Sequence, residues 1–462
     1  MRVCVSIENV GVIKKADIEL GGLTVLCGKN NSGKTYVTHS IFGLLDRLQH
    51  TAGAPILEKI IKPAENSGVV EMSEETFFSI LQESVDRVSS DVSSLLAEVL
   101  ASDKGRFRDS KISLSLVAPQ QVGLLKIAHS TPAGSMTYAI SRTSTGSCRV
   151  AFTNIDNVDS VDKDHAENFD VLKRFIRRQT AAQIQGQYFP RTFICSAERT
   201  GAGMFQKELD FTRSRLVDLF SKSKASKIDP YDIVGKFVSE YPLAVRTDVD
   251  FARNLSSISK RGGSWASMHG NVLNLFKDIV GGDYAAKDGD MRFVPAESSA
   301  DSWMLKLSEA SSSVRALMDM AGYLKHVVKT GDLLIVDEPE MNLHPKNQRM
   351  IARLFAMLVN TGVNVFVTTH SDYLMRELNL LILLKGKSAE KRKLAQKYGY
   401  GLSNLLDATD VHVYKTEDAK GARGMKTISQ IHVMQEKGME SSVFDEEINE
   451  MNRIFDDIYW GE

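Results

Sequence analysis

Eight residues constrain this chain more than any others: Gly28-Lys29-Asn30-Asn31-Ser32-Gly33-Lys34-Thr35 fit G-x-x-x-x-G-K-[ST]. They follow a short apolar strand-like run, LTVLC, and lead into a segment from Tyr36 to about Gln49 with apolar residues at Val37, Ile41, Leu44, Leu45 and Leu48, the spacing of a helix buried along one face. A glycine-bearing turn between a strand and a helix can wrap its backbone N–H groups round a phosphate at the positive end of the helix dipole. Gly28 and Gly33 let the backbone come close, and Asn30, Asn31 and Ser32 extend the row of N–H groups. Lys34 would neutralise the β- and γ-phosphates of a bound nucleotide, and the Thr35 hydroxyl would ligate Mg²⁺, which takes hard oxygen donors.

Three later segments supply what such a loop needs. Leu333-Leu334-Ile335-Val336-Asp337-Glu338 is an apolar run of the kind buried on both faces of a parallel sheet, closed by two carboxylates. Asp337 would orient the hydrated Mg²⁺, and Glu338 could polarise a water for in-line attack. The run NVFVTTH ends in His370, whose ring N–H could bond a γ-phosphate, because neighbouring parallel strands deliver their C-terminal ends to one crevice. In LKLSEASSSVRAL, residues Ser308, Ser311 and Ser312 stand at the apparent start of a helix, where they could meet an anion or serve as ordinary caps.

These four elements, in this order, resemble the ABC-type ATPase superfamily, in wording closest to its soluble SMC-like and OLD-like branch; the likeness covers about a third of the chain. It implies an α/β fold, an ABC-ATPase-like P-loop domain with a mixed sheet, carrying a helical and antiparallel-β insertion. It implies ATP and Mg²⁺ as ligands, catalytic roles for Glu338, His370 and Lys34, and Thr35 and Asp337 at the metal. By the same resemblance LSEASSS stands at the signature motif, whose serines close over ATP held by another copy, so that a homodimer or higher homo-oligomer makes the sites. Glu340-Met341-Asn342-Leu343-His344-Pro345 looks like the E-x-x-LHP D-loop of OLD-like ATPases. The chain departs from the pattern at the Q-loop: after TFICS it reads Ala197-Glu198-Arg199-Thr200, with Glu198 or Arg199 the available substitutes.

The boundaries that follow are 1–50 for the first part of the ATPase domain, 51–290 for an insertion whose strand near 191–196 returns to the core, 291–385 for the second part, and 386–462 for a helical and strand extension. Within the insertion, Leu81, Val85, Val88, Val92, Leu95 and Val99 form an apolar seam after a Ser73 cap. The seam suits an antiparallel helix pair or an intermolecular coiled coil. Residues 111–154 switch to period-two patches, as in a meander.

A hydrophobic fraction of 43% and a charged fraction of 25% exclude wholesale disorder, and a net charge of −1 gives no global attraction to polyanions. Cys4, Cys27, Cys148 and Cys195 are widely spaced and read as reduced and structural. No run approaches the ~18 apolar residues of a membrane span, so no membrane partner is expected, and the reading is a cytoplasmic prokaryotic protein. After His370 the sequence contains no DxD, which argues against the Toprim nuclease of OLD proteins. Short ATPases of this wording resemble the ATPase subunits of antiphage systems such as Septu and PARIS, which implies a separate nuclease effector. The alternative is an SMC-like DNA-repair clamp, with Lys173, Arg174, Arg177 and Arg178, or Lys385, Lys387, Lys391, Arg392, Lys393 and Lys397, against duplex DNA.

Overall fold

The computed structural model describes residues 3–50, 53–116, 123–131, 134–144, 146–156, 166–204, 241–260, 262–297, 303–386, 388–440 and 446–460. Strands β1 (Val3–Val10), β2 (Ile13–Leu20) and β3 (Leu23–Cys27) lead to helix α1 (Lys34–His50). A lobe follows, with β4 (Val69–Ser73), α2 (Glu74–Val88), α3 (Val92–Val99), β5 (Lys111–Leu116), β6 (Leu125–Thr131), β7 (Gly134–Arg142), β8 (Ser147–Asp156) and α4 (Ala166–Gly186). The chain then runs through β9 (Thr192–Cys195), α5 (Leu243–Ile258), α6 (Gly270–Val280), β10 (Gly282–Lys287), β11 (Asp290–Pro295), β12 (Leu305–Lys306), α7 (Ser312–His326) and β13 (Leu333–Asp337). Last come α8 (Pro345–Asn360), β14 (Asn364–Thr369), α9 (Asp372–Leu384), α10 (Ala389–Lys397), β15 (Val411–Asp418), β16 (Lys426–Ile431) and α11 (Glu446–Trp460).

The architecture is mixed α/β. Nine strands form one sheet in the order β5-β1-β2-β16-β15-β3-β14-β13-β9. From β15 to β9 all neighbours are parallel, whereas β5, β1 and β2 pair antiparallel. The parallel half is buried on both faces, which is why its strands are apolar without alternation. On β13, Leu334 and Val336 join the core under α6, α7, α8 and α9, while Leu333 and Ile335 join the core under α1. Each such side chain contributes about 1.5–3 kcal/mol by leaving water. Four antiparallel strands, β4-β8-β7-β6, make a second sheet over a separate core holding Phe77, Tyr138, Val150 and Ile184.

The heptad-like seam does not form a single helix. Ser89-Ser90-Asp91 makes one turn of 3-10 helix, and the Asp91 carboxylate accepts from Ser94 N–H, restarting the chain as α3. Leu81, Val85, Val88, Leu95 and Val99 are buried against the chain's own core, so the seam faces no second molecule. Ser73 does cap α2, accepting from Thr76 N–H at 3.1 Å. KISLSLV, read as part of the meander, is β5 and pairs with β1 in the main sheet. The segment read as an extension from 386 contributes β15 and β16 to that sheet, with β15 parallel to β3. All four cysteines are free, and three are buried.

Two acids lie in the apolar layer behind β9. Asp248 of α5 accepts from Ser196 N–H at 3.0 Å, and Asp319 of α7 is buried with it, at 1% and 2% exposure. Burial pushes the Asp248 carboxyl up to about 7, and burial followed by the Asp248 charge pushes Asp319 well above the usual carboxylate range. Both folded-state values are raised, so the folded protein holds protons that the unfolded chain has released. The stabilisation is complete below the unfolded carboxylate pKa and is lost as pH rises towards 7, with a slope approaching about 1.4 kcal/mol per pH unit for each such acid. Thermal melts should therefore show Tm falling from pH 5 to pH 8, and Asp248→Asn should flatten that fall and raise Tm at pH 8.

Candidate nucleotide-binding site

The loop between β3 and α1 holds its shape through positions that only certain residues tolerate. A Cβ on Gly28 would collide with the Thr416 hydroxyl of β15, and Gly33 sits at φ +90° with the Ile13 side chain 2.7 Å from where its Cβ would be. Asn31 also has positive φ, at 60°. Lys34 turns back on the loop: Nζ donates to the carbonyls of Gly28 at 3.0 Å and Lys29 at 3.1 Å. Lys34 is 5% exposed, and the buried Ser32 hydroxyl has no partner.

Parallel register sets the opposite wall. Thr369 of β14 pairs with Cys27, and Thr368 with Asp337, so the ends of β3, β14 and β13 stand side by side. Thr368 Oγ1 donates to Asp337 Oδ1, and the buried Asp337 Oδ2 has no hydrogen-bond partner among the described residues. Beyond it Glu338 takes φ 49°, an unfavourable conformation for a residue with a Cβ, pinned by its N–H to the Thr368 carbonyl and hydroxyl. That conformation holds Glu338 Oε1 3.8 Å from Lys34 Nζ and 3.5 Å from His370 Nδ1. Glu340, 5% exposed, accepts from Thr369 Oγ1 at 2.7 Å and His370 N–H at 2.8 Å, and lies 3.2 Å from the ring Nδ1. The imidazole is thus held between two carboxylates.

Mg²⁺ fits this donor set. Asp337 Oδ2 is an orphaned buried carboxylate oxygen and Thr35 an exposed hydroxyl on the facing loop, and Mg²⁺ is held by one or two carboxylates plus substrate phosphates rather than by a full protein cage. Bound there, the ion would neutralise charge developing on the phosphates.

Three residues of the site gave weak signals in the sequence. Arg199 is buried, and its guanidinium donates to four carbonyls: Ala316 at 2.9 Å, Ser196 and Asp337 at 2.7 Å, and Glu338 at 3.0 Å. It joins the end of β9, the acid pair and the helix that follows the serine run. His39 of α1 is buried, its Nε2 has no hydrogen-bond partner among the described residues, and burial holds its pKa below the usual histidine range against the opposing charges of Asp337 and Glu198. Thr416 of β15 faces Gly28.

The serines behave differently. Ser311 caps α7, accepting from Val314 N–H at 3.4 Å, and shares a 2.8 Å hydrogen bond with Ser313. Ser308, Ser311 and Ser312 are exposed, and among the described residues no hydrogen bond or ion pair joins them to the glycine loop, Asp337, Glu338 or His370. His344 and Pro345 open α8 as N-cap and first-turn proline, with Lys346 N–H donating to the ring at 3.2 Å.

Residues 296–376 match the family described as "AAA domain, putative AbiEii toxin, Type IV TA system". Over 91 residues the chain is 33% identical to the uncharacterized ABC transporter ATP-binding protein YhaQ of Bacillus subtilis (strain 168), covering 19% of this chain and 30% of that protein. The chain thus spans less than a third of that relative. Solved structures with similarity include the SMC head domain from Thermotoga maritima, at TM-score 0.31 and 9% identity over 94% of this chain and all of that one. Another is an Smc head with an extended coiled coil bound to the C-terminal domain of ScpA derived from Pyrococcus furiosus, at TM-score 0.33 and 12% identity over 98% of each. The family match takes in the acidic strand end Asp337–Glu338 and His370 and not the glycine loop, and both matches are to proteins described by a nucleotide-binding ATPase-type domain.

If Arg199 sets the backbone of the acid pair, Arg199→Lys should fold but lose the planar fork. Steady-state turnover should fall at least about tenfold while the Kd for ATP changes little, a split expected when an interaction made in the transition state is lost. Equal losses in both would mean that Arg199 only stabilises the fold.

Proposed function

We propose that the chain binds and hydrolyses Mg-ATP at sites completed by a second copy, and that the nucleotide state controls a separate nuclease effector in antiphage defence. The observation that carries the first part is the division within one chain. Lys34, Asp337, Glu338 and His370 converge, while Ser308, Ser311 and Ser312 are exposed and, among the described residues, no hydrogen bond or ion pair links them to that cluster. An exposed helix start with hydroxyls and free N–H groups is an anion partner in need of an anion. ATP held by the facing copy's loop would supply it.

In this reading the loop N–H groups and Lys34 bind the phosphates. Glu338 takes a proton from the attacking water, and His370, oriented by Glu340, senses the γ-phosphate. Glu338 Oε1 lies 3.8 Å from Lys34 Nζ, so a lysine drawn onto phosphate would leave the carboxylate to accept that proton. The defence role is supported by the toxin–antitoxin wording of the matched family, and a nucleotide-driven population shift is its physical basis. For the DNA-clamp alternative, Arg177 is engaged by Glu65 at 2.6 Å, Lys391 pairs with Glu436 at 2.8 Å, and Lys387 lies outside the described residues. Among the described residues no helix is long and apolar enough to cross a membrane.

Lys34→Ala should abolish ATP binding. Glu338→Gln should bind ATP, lose about 10²- to 10⁴-fold in turnover, the usual contribution of a general base, and accumulate as a dimer. Ser311→Ala and Lys34→Ala chains, each inactive alone, should regain up to a quarter of wild-type turnover when mixed in equal amounts, because random pairing yields one intact composite site in half of the dimers. Absence of recovery would sink the shared site. Co-purification of the chain with the product of a neighbouring gene, and nuclease activity that responds to ATP, would test the effector.

A further inference from the structure

Two exposed surfaces of this chain are complementary to each other. Helix α11 has no buried side chain from Glu450 to Ile458. Met451, Ile454 and Ile458 lie on one face by their spacing and are 57%, 51% and 70% exposed. The helix carries Glu446, Glu447, Glu450, Asp456 and Asp457 against a single Arg453, and is strongly acidic. Helix α10 is its counterpart. Leu394 of α10, Tyr398 at its C-cap and Leu402 in the 3-10 turn beyond Gly399 are 42%, 62% and 76% exposed, and Arg392, Lys393 and Lys397 are exposed on α10 itself. An isolated amphipathic helix of this length is marginal in water, and its apolar stripe needs a covering surface.

We infer that α11 of one copy docks against α10 and the turn that follows it in a second copy, its apolar face on Leu394, Tyr398 and Leu402 and its carboxylates against Arg392, Lys393 and Lys397. A second copy is the occupant because the chain itself carries both halves, opposite in charge and each with exposed apolar residues. The contact does not involve the nucleotide loop, so it links copies without ATP and raises the effective concentration of one ATPase core near another. A single helix pair falls at the low end of interface sizes, so the association is weak alone and salt-sensitive through its charges.

The test is made in the Lys34→Ala protein without nucleotide, so that ATP-driven pairing contributes nothing. Mass in solution at tens of micromolar should exceed that of one chain in low salt and fall towards one chain at high salt. Lys393→Glu with Lys397→Glu should abolish association, and so should Asp456→Lys with Asp457→Lys. Mixing the two charge-reversed proteins should restore it, since each then offers the other one matched pair. In addition, Ile454→Cys in one tagged chain and Tyr398→Cys in another should form an inter-chain disulfide under mild oxidation. A monomer under all conditions, association untouched by the reversals, loss without recovery on mixing, or a disulfide formed only within a doubly substituted chain would each overturn the proposal. The last result would mean that α11 docks on its own α10.

Discussion

The buried guanidinium of Arg199 organises the rest of the site, because it draws together carbonyls that would otherwise repel one another. The ends of β9 and β13 and a turn of α7 present the oxygens of Ser196, Asp337, Glu338 and Ala316 to one side chain. Backbone oxygens buried without donors cost about 1–3 kcal/mol each, so removal of the cation is felt by every element it touches. The same cation lies near Asp248 and Asp319, where it opposes the burial that raises their pKa values. Position of the acid pair, seating of the serine-bearing helix and protonation of two buried acids are therefore one electrostatic problem.

A second layer of the same logic fixes His370. The parallel pairing of β14 with β3 and β13 brings Thr368 and Thr369 to the crevice, where one hydroxyl donates to Asp337 and the other to Glu340. Glu340 then accepts from the His370 backbone and lies beside its ring. Ser371, one residue on, caps α9 and donates to Gln348 of α8 at 2.6 Å. Movement of the histidine on meeting a phosphate would be transmitted to two helices through bonds already made.

How far the sequence discloses this depends on whether the cause is local. The glycine loop, the apolar strand before Asp337 and the Ser73 cap are written in adjacent residues and are where the pattern puts them. The break at Ser89-Ser90-Asp91 is local too, but the apolar seam runs across it, and a periodicity argument sees only the seam. Placement of β15 beside β3 is a long-range pairing between residues nearly four hundred positions apart, for which VHVYKTED carries no mark beyond its alternation. Arg199 stands where the family pattern has a glutamine, and an arginine whose hydrogen-bond partners are all backbone carbonyls has no companion residue in the sequence to mark it.

Glu338 links these strands of argument through its backbone. At φ 49° it occupies a region that costs a residue with a Cβ of order 1–3 kcal/mol, and such a cost persists only where the surroundings impose it. Here the imposition comes from both sides of the peptide: its N–H is held by Thr368, and its carbonyl by Arg199. A relaxed, extended Glu338 would swing the carboxylate away from Lys34 and His370, so the strain is what keeps that carboxylate between the lysine and the histidine. Two restraints from different parts of the fold act on one residue, and together they fix the direction in which its carboxylate points.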